Sequence, residues 1–174
     1  MTGDLILATY LCHFHHRALH TVCLRHRPMC IRRMPIVIPQ RISSAEISWL
    51  TSTRLKPVMV IHCNHPNEID EDVVNALQTL RQAGVTLLNQ TVLLAGINDS
   101  VDTLNNLSKR LFTAGVLHYY LHLLDKVNGS AHFDVAEQRA QELIGLLRGQ
   151  LPGYLVPKLV REQAGGMSKM AING

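Results

Sequence analysis

The sequence lacks any apolar run that approaches the ~20 residues of a membrane-spanning helix. Its first residues contain no basic stretch followed by an apolar one, which argues against a signal peptide. Lys and Arg residues form no block with interleaved aromatic residues, so the formal charge of +4 does not indicate a nucleic-acid-binding protein. We therefore expect a cytoplasmic protein that binds neither a membrane nor a nucleic acid.

Cysteine is scarce, and no two cysteines form a CxxC pair. Without a secretory signal, we expect Cys12, Cys23, Cys30 and Cys63 to be reduced. Residues 12–30 combine three of these cysteines with five histidines, but spacings such as Cys23-x6-Cys30 match no standard zinc motif. A CxxxCxxC motif is absent as well. The sequence therefore predicts no metal site.

The composition is that of a globular chain with two unlike parts. Apolar residues make up 47% and charged residues 17%, and 174 residues suffice for one domain with a core. Residues 1–33 show no clean period, no convincing helix cap and no turn signal, and the composition changes abruptly at Met34-Pro35. We expect residues 1–33 to be a disordered or out-of-frame segment and residues 34–174 to form the folded part.

Apolar strands alternate with amphipathic helices from Met34 onward. The predicted strands cover residues 36–38, 58–61, 85–88 and 116–121, and a last one begins at Tyr154. The predicted helices cover residues 43–55, 69–83, 99–111 and 135–147. Continuously apolar strands separated by helices are typical of an α/β fold with parallel strands and right-handed crossovers. Four such units are half of a (β/α)8 barrel or most of a (β/α)6 barrel.

The first candidate site follows the second predicted strand, because such folds place their chemistry at the carboxyl ends of strands. The segment HCNHPNEID carries His62, His65, Asn67 and Glu68 around a stiff Pro66. It is either a loop that contacts a ligand or a strand exit that caps the next helix. His62, His65 and Cys63 also resemble metal ligands, but no fourth ligand stands at a fixed spacing.

Each of three further candidate sites has two possible interpretations. Asn89 and Gln90 follow the predicted strand VTLL. Side-chain amides at such a place either bind hydroxyls or carboxylates of a ligand, or form hydrogen bonds with their own backbone in a turn. Asp125, at the end of YYLHLLDK, pairs with an amine or forms a surface ion pair with Lys126. Lys169, after two glycines, forms a Schiff base with an aldehyde cofactor or belongs to a frayed tail.

Six segments, in order and with little gap, together resemble one family, the lysine 2,3-aminomutases. They are MPIVIPQRI, NHPNEIDE, LRQAGVTLLNQTVLL, INDSVDTLNNLSKRLFTAGV, YYLHLLDKVNGSAHF and GYLVPKLVRE, within residues 34–169. The resemblance is nearest to the bacterial branch whose product modifies elongation factor P. It implies that residues 34–174 are the C-terminal half of a radical-SAM partial (β/α) barrel with parallel strands.

The resemblance also implies the chemistry. In this family a [4Fe–4S] cluster on a CxxxCxxC motif cleaves S-adenosylmethionine to a radical, and pyridoxal 5′-phosphate (PLP) carries the amino group of L-lysine from C2 to C3. Lys169 matches the lysine that forms the Schiff base with PLP. Asp125 matches the acid that receives the distal ammonium of the substrate, and Glu162 matches a second such acid. His65 and Gln90 match positions that line the S-adenosylmethionine side.

The missing CxxxCxxC motif is the main departure from the family, because three spaced thiolates hold such a cluster. We therefore expect this chain to bind no cluster by itself and to be inactive alone. Three interpretations remain: a lysine 2,3-aminomutase, a non-catalytic barrel remnant that binds PLP or a partner, and an unrelated phosphate- or metal-binding domain. A half barrel also leaves two unpaired strand edges, which favour a homo-oligomer.

Overall fold

The structure is a computed structural model that describes residues 34–52, 54–124, 131–161 and 170–172. Within these ranges no helix has the length and apolar character needed to cross a membrane. The positions of residues 1–33, and of Asp125, Lys126, Glu162 and Lys169, lie outside the described residues.

Helices and strands alternate along the described chain. The α-helices are α1 (Ser44–Thr51), α2 (Glu71–Gln82), α3 (Val101–Thr113) and α4 (Glu137–Gln150). The strands are β1 (Val58–His62), β2 (Thr86–Val92), β3 (Leu117–His122), β4 (Lys158–Arg161) and β5 (Met170–Ala171). Short 3-10 helices lie at Pro39–Arg41, Pro66–Glu68, Ala131–Phe133 and Gly153–Leu155.

The five strands form one sheet in the order in which they follow along the chain. Strands β1 to β4 are parallel, and β5 pairs antiparallel with β4. A strand order that follows the chain without reversing is typical of the wall of a (β/α) barrel, whereas a doubly wound sheet reverses at a switch point. The predicted α/β fold with parallel strands is confirmed, and β5 is an addition that the sequence pattern did not indicate.

Both hydrophobic clusters lie between the sheet and its helices. The first joins β1 and β2 to α2 and α3 through buried residues that include Met59, Ile61, Leu87, Leu77, Leu80 and Leu111. The second joins β3 and β4 to α3 and α4 through residues that include Leu121, Leu159, Leu104, Leu143 and Leu147. Side chains alternate across a strand, so these residues define one face of the sheet as its helix face. Among the described residues, neither cluster includes strand side chains from the opposite face of the sheet, which we call the open face.

Caps and turns set the helix boundaries close to the predicted ones. The Asp70 carboxylate accepts from the backbone N–H of Val73 at 2.9 Å and caps α2, and the Ser100 hydroxyl caps α3 by accepting from Thr103. Gly115 follows α3 with φ +82°, a backbone conformation that favours glycine. These residues therefore orient α2 and α3 so that their apolar sides meet β1 and β2.

The strand predicted at residues 36–38 is wrong. Residues 34–37 are helical, and the backbone N–H of Ile38 donates to the carbonyl of Met34 at 2.9 Å. Only Ile36 is buried, while Val37 is 67% exposed and Ile38 is 44% exposed. A helical turn points one of three consecutive side chains at the core, and Ile36 thereby packs in the first cluster. A short apolar run alone does not distinguish this turn from a buried strand.

Two other boundaries differ from the prediction. Helix α1 ends at Thr51 rather than near Leu55, and the Ser52 hydroxyl donates to the carbonyl of Trp49. The apolar residues near Tyr154 form the 3-10 helix, and β4 begins only at Lys158. Pro157 is the reason for the later start, because a residue without an N–H cannot donate to a strand ladder.

A buried histidine joins α3 to β3. His118 is 2% exposed, and its Nδ1 lies 2.7 Å from the Ser108 hydroxyl. Among the described residues its Nε2 has no hydrogen-bond partner. Burial disfavours the charged imidazolium and lowers the pKa of His118 from about 6.5 to about 3. The fold therefore contains His118 as a neutral imidazole.

The neutral state of His118 predicts a loss of stability in acid. Unfolding releases an imidazole that binds a proton below pH 6.5, whereas the folded protein takes up that proton only near pH 3. The free energy of unfolding should therefore fall with pH in this window, by up to about 1.4 kcal/mol per pH unit. Urea unfolding at pH 7.5 and pH 5 measures this loss. The double variant His118→Leu, Ser108→Ala should lose roughly 2 kcal/mol less over the same interval. Equal losses in both proteins would contradict this account.

Candidate active site at the carboxyl ends of the strands

Polar side chains form a continuous row across the open face of the sheet. The strand register pairs His62 of β1 with Gln90 of β2, Gln90 with Tyr120 of β3, and Tyr120 with Lys158 of β4. Directly paired residues of neighbouring strands point to the same side of a sheet. This row, which we call the polar row, therefore places imidazole, amide, phenol and ammonium groups side by side on one face of the sheet. His122 lies on the same face two residues further along β3.

A bulge in β3 adds a second phenol to the polar row. Asn89 pairs with His118 and Gln90 pairs with Tyr120, so Tyr119 has no counterpart in β2. The Tyr119 and Tyr120 ring centroids are 4.0 Å apart, and the Tyr120 hydroxyl donates to the Tyr119 oxygen at 3.3 Å. The Lys158 ammonium nitrogen lies 5.3 Å from the Tyr119 ring centroid, within the range of a cation–π contact.

Tyr120 is a proton donor rather than an anion at neutral pH. Burial, and then the hydrogen bond with Tyr119, raise the pKa of Tyr120 to about 12. Together with Gln90, whose amide both donates and accepts, it gives the open face neutral hydrogen-bonding groups. Such groups select for hydroxyls, carboxylates and ring nitrogens rather than for one ionic charge.

Asn89 holds the loop that follows β1. Its side-chain oxygen accepts from the backbone N–H of Cys63 at 2.8 Å, and its nitrogen donates to the Cys63 carbonyl at 3.0 Å. The Thr91 hydroxyl donates to the same carbonyl at 2.9 Å. Asn89 and Thr91 are fully buried on the helix face. They are therefore structural, and the prediction that Asn89 stands beyond the strand end is wrong, because β2 continues to Val92.

Asn98 joins this loop to the one after β2. Its nitrogen donates to the carbonyls of Asn64 at 2.8 Å and of Val92 at 2.9 Å, and its oxygen accepts from the N–H of Leu94 at 2.7 Å. The Asn64 side chain in turn accepts from the N–H of Val92. Asn98 is fully buried. Hydrogen bonds thereby tie the two loops together. Asn64 and Asn98 lie in two of the segments that resemble the family, but the sequence alone did not indicate this role for them.

Glu68 and His65 complete the hydrogen bonding of the loop. One oxygen of Glu68 accepts from the backbone N–H groups of both Asn64 and His65, each at 2.7 Å. Nδ1 of His65 accepts from the N–H of Asn67 at 3.2 Å, which caps the 3-10 helix Pro66–Glu68. These contacts confirm the interpretation of HCNHPNEID as a strand exit with a cap, whereas contact with a ligand stays a prediction. Glu68 satisfies the loop backbone, whereas the His65 ring is half-buried and keeps Nε2 for other contacts.

Cys63 is unsuited to metal binding or redox chemistry. It is fully buried, its thiol donates to the carbonyl of His65 at 3.4 Å, and burial raises its pKa to about 12. No group of three or more His, Cys, Asp or Glu side chains within the described ranges could hold a metal ion. A [4Fe–4S] cluster therefore does not fit this part of the chain.

The predicted site residues divide into two groups. Gln90 lies in the polar row, and His65 lies in the loop directly beyond β1, next to the His62 end of that row. Asp125 comes three positions after the last residue of β3, and Glu162 comes directly after β4, but both lie outside the described residues, as does Lys169. In the sequence, Asp125 and Glu162 thus follow the ends of the paired strands β3 and β4.

The fold is shared with a radical-SAM enzyme of known structure. A radical SAM methyltransferase from Sphaerobacter thermophilus superposes with a TM-score of 0.53 and 14% identity, over 68% of this chain and 38% of the other. At this identity the likeness shows the fold alone. No family model matches the chain.

Sequence comparison finds similarity to curated proteins that share one name. The chain is 52% identical over 137 residues to the L-lysine 2,3-aminomutase of Haemophilus influenzae and 50% identical over 141 residues to that of Escherichia coli. It is 40% identical over 141 residues to the enzyme of Clostridium subterminale. These matches cover 79–81% of this chain. Over this matched part, the chain is similar to curated proteins named L-lysine 2,3-aminomutase. It spans about two fifths of the length of the first two relatives and a third of the clostridial one.

Loss of the Asn98 amide should destabilise the protein. Asn98→Ala removes hydrogen bonds from three part-buried backbone groups, at about 1–3 kcal/mol for a group that stays unsatisfied. We expect the free energy of unfolding, measured in urea, to fall by roughly 3 kcal/mol. Asn75→Ala, on the exposed side of α2, is the matched control and should change it by less than about 0.5 kcal/mol. Similar effects for both variants would show that Asn98 does not hold the loops.

Proposed function

We propose that this chain supplies part of the barrel of an L-lysine 2,3-aminomutase, an isomerase that converts L-lysine to β-lysine. The observation that carries the proposal is the identity of about one residue in two with two proteins of that name over about four-fifths of the chain. The polar row supports it, because the imidazole, amide, phenol and ammonium groups on the open face of a barrel wall suit a polar ligand.

The product is proposed to modify elongation factor P. The identity is higher with the Haemophilus and Escherichia proteins, at 50–52%, than with the clostridial protein, at 40%. This difference supports membership in the branch that the sequence resemblance connects with elongation factor P.

Different residues are proposed to receive each small molecule. His65 and Gln90 contact S-adenosylmethionine, and their positions in and beside the polar row support this assignment. Lys169 holds PLP, which supplies an electron sink for the migrating amino group. Asp125 and Glu162 bind the distal ammonium of L-lysine, and their place after β3 and β4 supports this role, since the carboxyl ends of parallel strands meet at one edge.

PLP trapping tests the role of Lys169. Borohydride treatment of the chain with PLP should label the peptide that contains Lys169, because reduction makes an imine between lysine and PLP permanent. Lys169→Ala should abolish the label. Lys109→Ala, on the exposed side of α3, should leave it unchanged. Labelling of another lysine in the unaltered chain, located by peptide mass, would contradict the assignment.

Asp125→Asn tests the substrate anchor separately. A carboxylate that pairs with an ammonium is worth about 1.5–3 kcal/mol. The variant should therefore need at least about tenfold more L-lysine to change the absorbance of the PLP-loaded chain. Its PLP labelling by borohydride should stay normal. An unchanged lysine titration would remove Asp125 from the site and leave Lys169 in place.

The second candidate function is a barrel remnant that binds PLP without turnover. It is favoured by one observation: these 174 residues contain no CxxxCxxC motif, and Cys63 is buried. We further propose that the chain assembles with copies of itself through β1, which lies at one end of the described sheet.

Cluster reconstitution tests whether these residues suffice for the whole reaction. We expect the chain, treated anaerobically with iron and sulfide, to hold no [4Fe–4S] after desalting and to convert no L-lysine when S-adenosylmethionine, PLP and a reductant are supplied. A stoichiometric cluster absorbance or formation of β-lysine would show that these residues suffice for the whole reaction.

A further inference from the structure

We propose that His65 is held as the neutral tautomer with its proton on Nε2, and that it offers this N–H as a hydrogen-bond donor in the site. Its partner is then a ligand atom with a lone pair, such as a ring nitrogen or an oxygen, and not a metal ion. The placement of His65 beside the cofactor rests on the proposed function, whereas the tautomer rests on the loop geometry alone.

The tautomer follows from the contact at Nδ1. The backbone N–H of Asn67 points at Nδ1 of His65, with 3.2 Å between the nitrogens. A backbone amide cannot accept a hydrogen bond through this nitrogen, so Nδ1 has to be the acceptor and carries a lone pair. A neutral imidazole has one protonated and one unprotonated nitrogen. The proton is therefore on Nε2.

The surrounding loop fixes the backbone of His65. The backbone N–H of His65 donates to Glu68, and its carbonyl accepts from the N–H of Glu68 at 3.1 Å and from the Cys63 thiol. The Asn64 N–H donates to the same Glu68 oxygen. Asn98 in turn anchors the Asn64 carbonyl to the end of β2. Both backbone groups of His65 are thus bonded within a loop that is tied to the sheet.

This arrangement excludes His65 as a metal ligand in the described conformation. A histidine binds a metal through an unprotonated ring nitrogen, while its other nitrogen usually donates a hydrogen bond. In His65 the lone pair of Nδ1 is occupied by Asn67, and Nε2 holds the proton. His65 is therefore not a metal ligand in this conformation. It is a hydrogen-bond donor, and it favours ligands that place an acceptor atom opposite Nε2.

Nuclear magnetic resonance of the full 174-residue chain tests the tautomer directly. With histidines labelled by ¹⁵N, long-range ¹H–¹⁵N correlation separates an Nε2–H from an Nδ1–H imidazole. The His65→Gln variant identifies the His65 signals by their loss. We expect a pure Nε2–H pattern for His65 at pH 8. The exposed His132 serves as the reference and should show tautomer averaging. An Nδ1–H pattern or an averaged pattern for His65 would overturn the inference.

A pair of Glu68 variants tests the cause. Glu68→Gln keeps an oxygen that accepts both N–H groups, so the Nε2–H pattern of His65 should persist. Glu68→Ala removes it, and the pattern should become averaged like that of His132. A persistent pure pattern in Glu68→Ala would show that Glu68 does not position His65. If Glu68→Ala fails to fold, the spectra of the unaltered chain and of Glu68→Gln still decide the tautomer.

Titration with Zn²⁺ tests the ligand class. We expect the His65 signals to stay in place at one equivalent of Zn²⁺ per chain, whatever other histidines bind. Loss of the Nε2–H pattern of His65 on addition of Zn²⁺ would overturn the donor assignment. None of these spectra depends on turnover. If they contradict the tautomer, the proposed lysine chemistry is unaffected, and if PLP trapping fails, the tautomer assignment is unaffected.

Discussion

The amide of Asn89 holds the backbone of Cys63 at both ends, and the position of the site depends on that pair. Strand β1 ends at His62, so the next residue loses its place in the backbone ladder while it is still buried. An unpaired buried backbone group raises the free energy of the folded state. The buried asparagine on the neighbouring strand prevents this by forming hydrogen bonds with that group. The chain can then leave the sheet in one defined direction, which places His65 beyond the end of β1.

The two faces of the sheet differ in the side chains that they carry. Leucine, isoleucine and valine fill the helix face, where dry contacts with α2, α3 and α4 stabilise the fold. On the open face, register alone aligns His62, Gln90, Tyr120 and Lys158. The bulge at Tyr119 brings its ring against that of Tyr120 and toward Lys158. Stability is therefore provided on one side of the sheet, and the other side is available for a ligand.

Homology and geometry support the function in complementary ways. The relatives show which proteins the matched part of the chain is similar to, while the described residues account for the loop motif NHPNE in terms of hydrogen bonds. The side chains of Asn64 and Glu68, which belong to this motif, bind backbone groups of the two loops. The motif thus contains residues that hold the backbone of the loop in place.

The sequence by itself determined the α/β class and the parallel strands, and it predicted the candidate residues His65 and Gln90. These features follow from local periodicity and from the resemblance of ordered motifs. Only the tertiary structure decided that residues 34–37 are helical, that Asn89 and Asn98 tie two loops together, and that Tyr119 is an extra residue in β3. Each of these depends on a partner from another element, across at least 26 residues of chain for Asn89 and Cys63, and local pattern contains no information about such a partner.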